Sequence, residues 1–197
     1  IVLVKGLWRD IAFRLFAVYW LVNGLINIFD WIPGISLQVQ QTTRMVYNLI
    51  DIPLMLTILY VSSTGKRIKN FIRITCITYV VVELTNVFVN GMTYESMKYV
   101  LGIGVLLVLV VIFWNIILFL RKMKYNFRQK ALLFIHAALL FEYGTYIVVY
   151  IFDYFYVDTA ALDNYLIYYL STLIAIMVAC FGLLQKREGR TAGSASP

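Results

Sequence analysis

Six long apolar stretches, separated by short polar segments, dominate the pattern of hydrophobic and polar positions along the chain. A helix needs roughly 20 mostly apolar residues to cross the hydrocarbon core of a bilayer, and each stretch reaches that length. The pattern predicts six transmembrane helices, called spans 1 to 6, at Ile11–Asp30, Arg44–Ser63, Phe71–Asn90, Tyr99–Leu120, Ala131–Asp153 and Leu162–Leu184.

The segments between the spans are short, and short connections favour antiparallel neighbours. The predicted fold is therefore an all-α integral membrane protein whose six transmembrane helices form antiparallel hairpins. Residues 1–190 are expected to form a single transmembrane domain, and the small polar residues 191–197 a flexible tail or linker remnant. Pro33 and Gly34 predict a turn after span 1, and the Ser62–Gly65 segment predicts the end of span 2.

The composition agrees with a multi-pass membrane protein. Hydrophobic residues make up 62% of the 197 residues and charged residues 14%, whereas soluble domains contain about 25% charged residues. These values, with a mean hydropathy of +0.82, exclude an ordinary soluble domain and a disordered chain.

The distribution of basic residues predicts the orientation. Only Arg44 and Lys98 lie at one side of the predicted bundle, and the other 15 of the 17 Lys and Arg residues lie at the opposite side. By the positive-inside rule, both termini should be cytoplasmic. We expect these basic segments to contact anionic lipid, and this role would explain why the chain has a net charge of +7. The expected partner is thus the lipid bilayer and not nucleic acid.

Three acidic residues lie well inside spans, namely Asp51, Glu83 and Glu142. At a rise of 1.5 Å per residue, all three fall in one band between the midplane and about 5 Å outward. No Lys or Arg lies at that depth. Ionisable residues are costly inside a membrane and usually mark function, so the band predicts a site for a small ligand or cation. Hydrogen bonding between helices is the alternative role of each acid.

Neutral polar residues share helix faces with these acids. Positions three or four apart lie on the same side of a helix, and polar groups avoid lipid. The polar faces should therefore turn toward one another and form a chamber open to the outside. The neutral members of the predicted binding site are Asn23, Asn27, Asn48, Asn86, Asn90, Tyr79 and Tyr146.

Span 6 carries two small residues below the acid band. Ala175 and Ala179 are one turn apart, and small residues allow close, sliding contact between membrane helices. We expect them to form part of an inner gate.

Motifs for catalysis or cofactor binding are missing from the sequence. His136 is the only histidine, and neither a nucleophile elbow nor a phosphate-binding loop occurs. No catalytic residue and no cofactor are therefore predicted, and metal binding is left open. His136 is expected to form a hydrogen bond between helices.

Two functions fit these features. The first is a small transporter or channel-like protein that holds a cation, a proton or a protonated amine-bearing substrate at the buried carboxylates. The alternative is a membrane-embedded sensor or receptor module that binds a small ligand in the same chamber. An intramembrane enzyme with two facing acids is less favoured. A homo-oligomer or a signalling partner is compatible with either function.

Overall fold

The protein is a bundle of six long helices in a computed structural model that describes residues 1–29, 32–122, 125–155 and 161–185. A short 3-10 turn, Leu7–Arg9, precedes the first helix, and the part of the chain that the structure describes contains no strand. The helices are α1 (Ile11–Phe29), α2 (Leu37–Ser62), α3 (Lys66–Asn90), α4 (Tyr94–Leu120), α5 (Phe127–Phe155) and α6 (Ala161–Leu184). All six are long and apolar enough to cross a membrane, which confirms the predicted helix content.

Several helices extend beyond the predicted spans because polar residues cap them. Ser36 Oγ accepts a hydrogen bond from the backbone N–H of Val39 at the start of α2. Thr93 and Ser96 form a reciprocal capping box at the start of α4. Such caps satisfy backbone N–H groups that the first helical turn leaves unpaired. The apolar stretch thus locates each helix, and the flanking polar residues determine its ends.

The loops follow the turn signals in the sequence. Gly34 has φ 92°, a conformation that glycine adopts more easily than other residues. The segment after α2 is also as predicted, since α2 ends at Ser62 and α3 begins at Lys66. α2 continues through Pro53 without interruption. The predicted tail, 191–197, lies outside the described residues.

Helices that follow one another along the chain pack together, and α2 also packs on α4. The contact between α5 and α6 is the most extensive, whereas α3 packs mainly on α2 and α4. Gly182 of α6 lies so close to Phe134 of α5 that a Cβ atom there would overlap the aromatic side chain. Ala175 and Ala179 are both buried on α6.

Large apolar side chains cover the outside of the bundle. Ile74 of α3, Leu106 of α4 and Leu173 of α6 are each more than half exposed. Large contiguous apolar surfaces are rare on soluble monomers, whereas lipid tails cover them readily. The outer surface is therefore suited to a bilayer.

Candidate functional site

Glu142, in the middle of α5, accepts hydrogen bonds from two neighbouring helices. Its Oε2 accepts from Trp20 Nε1 of α1 at 3.0 Å. Its Oε1 accepts from Asn23 Nδ2 of α1 and from Thr172 Oγ1 of α6, each at 3.3 Å. The residue is only 2% exposed. One buried carboxyl group therefore joins α1, α5 and α6.

Asn23 extends this polar network along α1. Its side-chain amide lies within 3.3 Å of the Tyr168 hydroxyl of α6. Asn27 Nδ2 donates to Asn23 Oδ1 at 3.0 Å, and the Tyr146 ring lies beside that of Tyr168 with centroids 5.6 Å apart. Asn23, Asn27, Glu142 and Tyr146 were all predicted site residues, and the structure brings them together.

Asp51 lies on α2 among tyrosine side chains. Its Oδ2 accepts a hydrogen bond from Tyr143 OH of α5 at 2.9 Å, and Tyr143 OH is 3.1 Å from Tyr19 OH of α1. Tyr47 lies one turn before Asp51 and close to its carboxyl group. Asp51 Oδ1 and Tyr47 OH are buried without a hydrogen-bond partner among the described residues. A carboxylate oxygen in this position has capacity for a further donor or a cation.

The carboxyl groups of Asp51 and Glu142 are close enough to interact electrostatically. Helix α5 contacts Asp51 and also carries Glu142, because Tyr143, which donates a hydrogen bond to Asp51, is the next residue after Glu142. No ion pair found within the described ranges involves either acid. The two acids thus form one buried acidic site without a basic partner there. We call Asp51, Glu142 and their hydrogen-bond partners the acid cluster.

Glu83 lies apart from the acid cluster. Its Oε1 accepts a hydrogen bond from Tyr79 OH of the same helix at 3.4 Å. A Cβ atom at Gly104 of α4 would lie 2.7 Å from Tyr79 OH, so the missing side chain leaves space for the tyrosine. The described residues show no hydrogen bond from Glu83 to Asp51 or Glu142. That Glu83 and Tyr79 belong to the same binding site stays a prediction.

Two of the remaining asparagines of the predicted site form hydrogen bonds outside the acid cluster. Asn86 Nδ2 of α3 donates to the backbone carbonyl of Ser96 on α4 at 2.8 Å. Asn90 is exposed, and its Nδ2 donates to Asn86 Oδ1 at 2.9 Å. Asn48 is half-buried on α2. Asn86 and Asn90 therefore connect α3 with the first turn of α4 and do not contact the acid cluster.

Sequence reasoning missed several members of the acid cluster. Aromatic belts at membrane interfaces explain Tyr and Trp residues near the ends of spans, but they do not explain aromatic residues in the middle of a span. A position in the middle of a span is therefore the feature of the sequence that could have identified Tyr143 of α5 and Tyr19 of α1 as site residues. The members that were not predicted are Tyr19, Trp20, Tyr47, Tyr143, Tyr168 and Thr172.

A second buried polar group lies toward the predicted cytoplasmic end. His136 Nδ1 is 2.6 Å from the carbonyl oxygen of Leu132, and its Nε2 is 3.4 Å from Ser62 Oγ of α2. Ser63 Oγ donates to Asn115 Oδ1 of α4 at 2.8 Å. His136 therefore connects helices, as the sequence led us to expect. Together these side chains join α2, α4 and α5 below the acid cluster.

Carboxyl groups and aromatic side chains lie together in the acid cluster. Among the residues that the structure describes, no group of three or more His, Cys, Asp and Glu side chains is placed to bind a metal. Carboxylates and aromatic faces both attract ammonium groups.

Comparisons with protein-family models, curated proteins and solved structures found no match to this chain. The function therefore has to be inferred from the site itself.

Proposed function

We propose that the chain is a multi-pass membrane protein that transports a proton or a protonated amine by way of Asp51 and Glu142. One observation carries this proposal. Both acids are buried inside the bundle, and neither has a basic partner among the described residues. An unpaired charge inside a bilayer is costly, so a bound proton or cation would supply the partner.

Two further features support the membrane setting. The apolar outer surface of the bundle suits lipid, and the basic residues concentrate at the side that also holds both termini. By the positive-inside rule, that side is cytoplasmic. The acid cluster is then near the middle of the membrane, where transporters commonly bind their substrates.

The aromatic side chains around the acids favour a protonated amine as the transported substrate. Trp20 donates directly to Glu142, and Tyr143 donates directly to Asp51. An ammonium group can rest on the face of a Trp or Tyr ring while a neighbouring carboxylate balances its charge. The combination recognises a cation without requiring a particular metal geometry.

A sensor is the second candidate function, and one observation favours it. His136, Ser62, Ser63 and Asn115 join α2, α4 and α5 between the acid cluster and the predicted cytoplasmic side. A ligand at the acid cluster would then meet these side chains on any inward route between α2, α4 and α5. Transport requires the inner half of the bundle to open, and sensing does not. Ala175 and Ala179 of α6 are the proposed points at which helices slide during that opening.

Flux measurements in liposomes test the proposal. The purified protein is reconstituted with pyranine inside to report protons, and radiolabelled methylammonium is supplied outside as the simplest protonated amine. We expect uptake of at least one probe and its loss in both Asp51→Asn and Glu142→Gln. Glu95→Gln is the matched control, because the Glu95 side chain is 86% exposed. Unchanged flux in the first two variants would show the proposal to be wrong. Methylammonium binding without flux of either probe would favour the sensor.

A further inference from the structure

An apolar groove lies between α1 and α6 beside the acid cluster. Its cavity measures about 420 Å³, within the range of roughly 300–1,000 Å³ that is typical of small-molecule sites. Phe13 and Val18 of α1 line one side, and Ala179 and Cys180 of α6 line the other. The two helices do not pack extensively along their lengths. The groove is therefore a gap in the wall of the bundle.

The groove is accessible from the surroundings of the bundle. Val18 is 39% exposed and Leu21 is 62% exposed, and both line the cavity. In a membrane this opening would face lipid, so a molecule dissolved in the bilayer could enter sideways. Its walls are almost entirely apolar and suit a hydrocarbon chain.

Trp20 connects the groove with the acid cluster. Its indole ring lines the cavity, and its Nε1 donates to Glu142 Oε2 at 3.0 Å. A positive group at this end of the groove would meet an indole ring, the aromatic group that attracts cations most strongly, and the Glu142 carboxyl group lies at the N–H edge of that ring. At the other end, Leu183 and the first residues of the chain keep the lining apolar.

We propose that the substrate is an amphiphilic amine, with its alkyl chain in this groove and its ammonium group at Trp20 and Glu142. This inference rests on the proposed function, whose acid cluster it uses, and it names the substrate class. The charge of Glu142 decides between occupants, since an ammonium head gains a charge–charge attraction beside a carboxylate, a neutral head gains at most a hydrogen bond, and an anionic head is repelled. The ammonium end lies near the predicted midplane, and the alkyl chain extends from there toward the predicted cytoplasmic side.

Cys180 provides a direct probe of occupancy, because it lines the groove and the chain has only two cysteines. In a Cys76→Ala background, N-ethylmaleimide labels Cys180 alone. We measure its labelling rate in lipid nanodiscs with dodecylamine or dodecanol, which share the alkyl chain and differ in charge. We expect dodecylamine to slow labelling at a lower concentration than dodecanol does. Glu142→Gln should abolish this difference while protection by the alkyl chain persists.

Two tryptophan substitutions test the position of the alkyl chain. Val18→Trp places a bulky ring in the groove and should remove protection by both compounds. Val81→Trp is the matched control, because Val81 is 58% exposed on α3 and lies away from the groove, so protection should persist.

The outcomes distinguish this inference from the proposed function. Equal protection by dodecylamine and dodecanol in the Cys76→Ala protein would mean that the groove accepts any alkyl chain, including a phospholipid tail, and would overturn the inference. A lack of protection by either compound would overturn it as well. If proton or methylammonium flux persists in those cases, only the substrate class is wrong. If flux is also missing, the transport proposal fails with it.

Discussion

Glu142 and Glu83 are both buried acids inside long helices, but their surroundings differ. Glu142 receives hydrogen bonds from Trp20, Asn23 and Thr172, which belong to two other helices. Glu83 receives one from Tyr79 of its own helix. Both residues are almost fully buried, at 2% and 3% exposed. Burial therefore does not distinguish the two acids, whereas the number of helices that direct donors to each carboxyl group does.

The order of helix packing explains the difference. α5 packs between α4 and α6, and its hydrogen bonds also reach α1 and α2, whereas α3 packs mainly on α2 and α4. Asp51 on α2 interacts electrostatically with Glu142 and with Tyr79, which is the hydrogen-bond donor to Glu83. Glu83 itself forms no hydrogen bond with the acid cluster among the described residues.

Removing each acid should have unequal effects on stability. Glu142→Ala removes the acceptor of three hydrogen bonds, whereas Glu83→Ala removes the acceptor of one. At about 0.6 kcal/mol for each hydrogen bond in a membrane protein, we expect losses of about 2 and about 0.6 kcal/mol in the free energy of unfolding. Denaturant unfolding in detergent micelles measures both. Equal losses would show that the extra donors of Glu142 contribute nothing.

The sequence was sufficient for the helices, but not for the contacts between their polar side chains. Apolar length alone located α1 to α6, because each must bury or cover a long apolar stretch. Depth along a helix placed Asp51, Glu83 and Glu142 in one band. Depth could not show which helices are neighbours. The arrangement of neighbouring helices determines that Asn23 donates to Glu142, whereas Asn86 donates to the Ser96 carbonyl.

A single methyl group added on α4 should affect the surroundings of Glu83 and leave the acid cluster unchanged. Gly104→Ala places a Cβ atom 2.7 Å from Tyr79 OH, so the ring must shift and Glu83 loses its donor. We expect a loss of about 1 kcal/mol, at the lower end of the range for overpacked cores, with flux unchanged. Gly144→Ala on α5 is the matched control, because a Cβ there meets nothing within 4 Å. Reduced flux in Gly104→Ala alone would bring Glu83 back into the site.

The smallest expected effect is that of replacing Asp10. This residue connects the start of α1 with α5, the two helices that carry Trp20 and Glu142. Asp10 forms an ion pair with Arg128 and accepts a hydrogen bond from the backbone N–H of Ala12. Partial burial raises the pKa of Asp10, but the hydrogen bonds and charge of Arg128 and the Ala12 bond outweigh it, so the pKa is lowered.

A carboxyl group whose pKa is lower in the folded state stabilises the protein above its ordinary pKa of about 3.9, and this stability is lost as the pH falls through the folded value. Thermal unfolding in detergent between pH 6 and pH 3 should therefore show a smaller acid-induced decrease in melting temperature for Asp10→Asn than for the parent protein. Glu95→Gln serves as the control, because its partner Lys98 is 3.9 Å away and its side chain is mostly exposed. The same decrease in Asp10→Asn as in the parent would show that the ion pair does not stabilise the contact between α1 and α5.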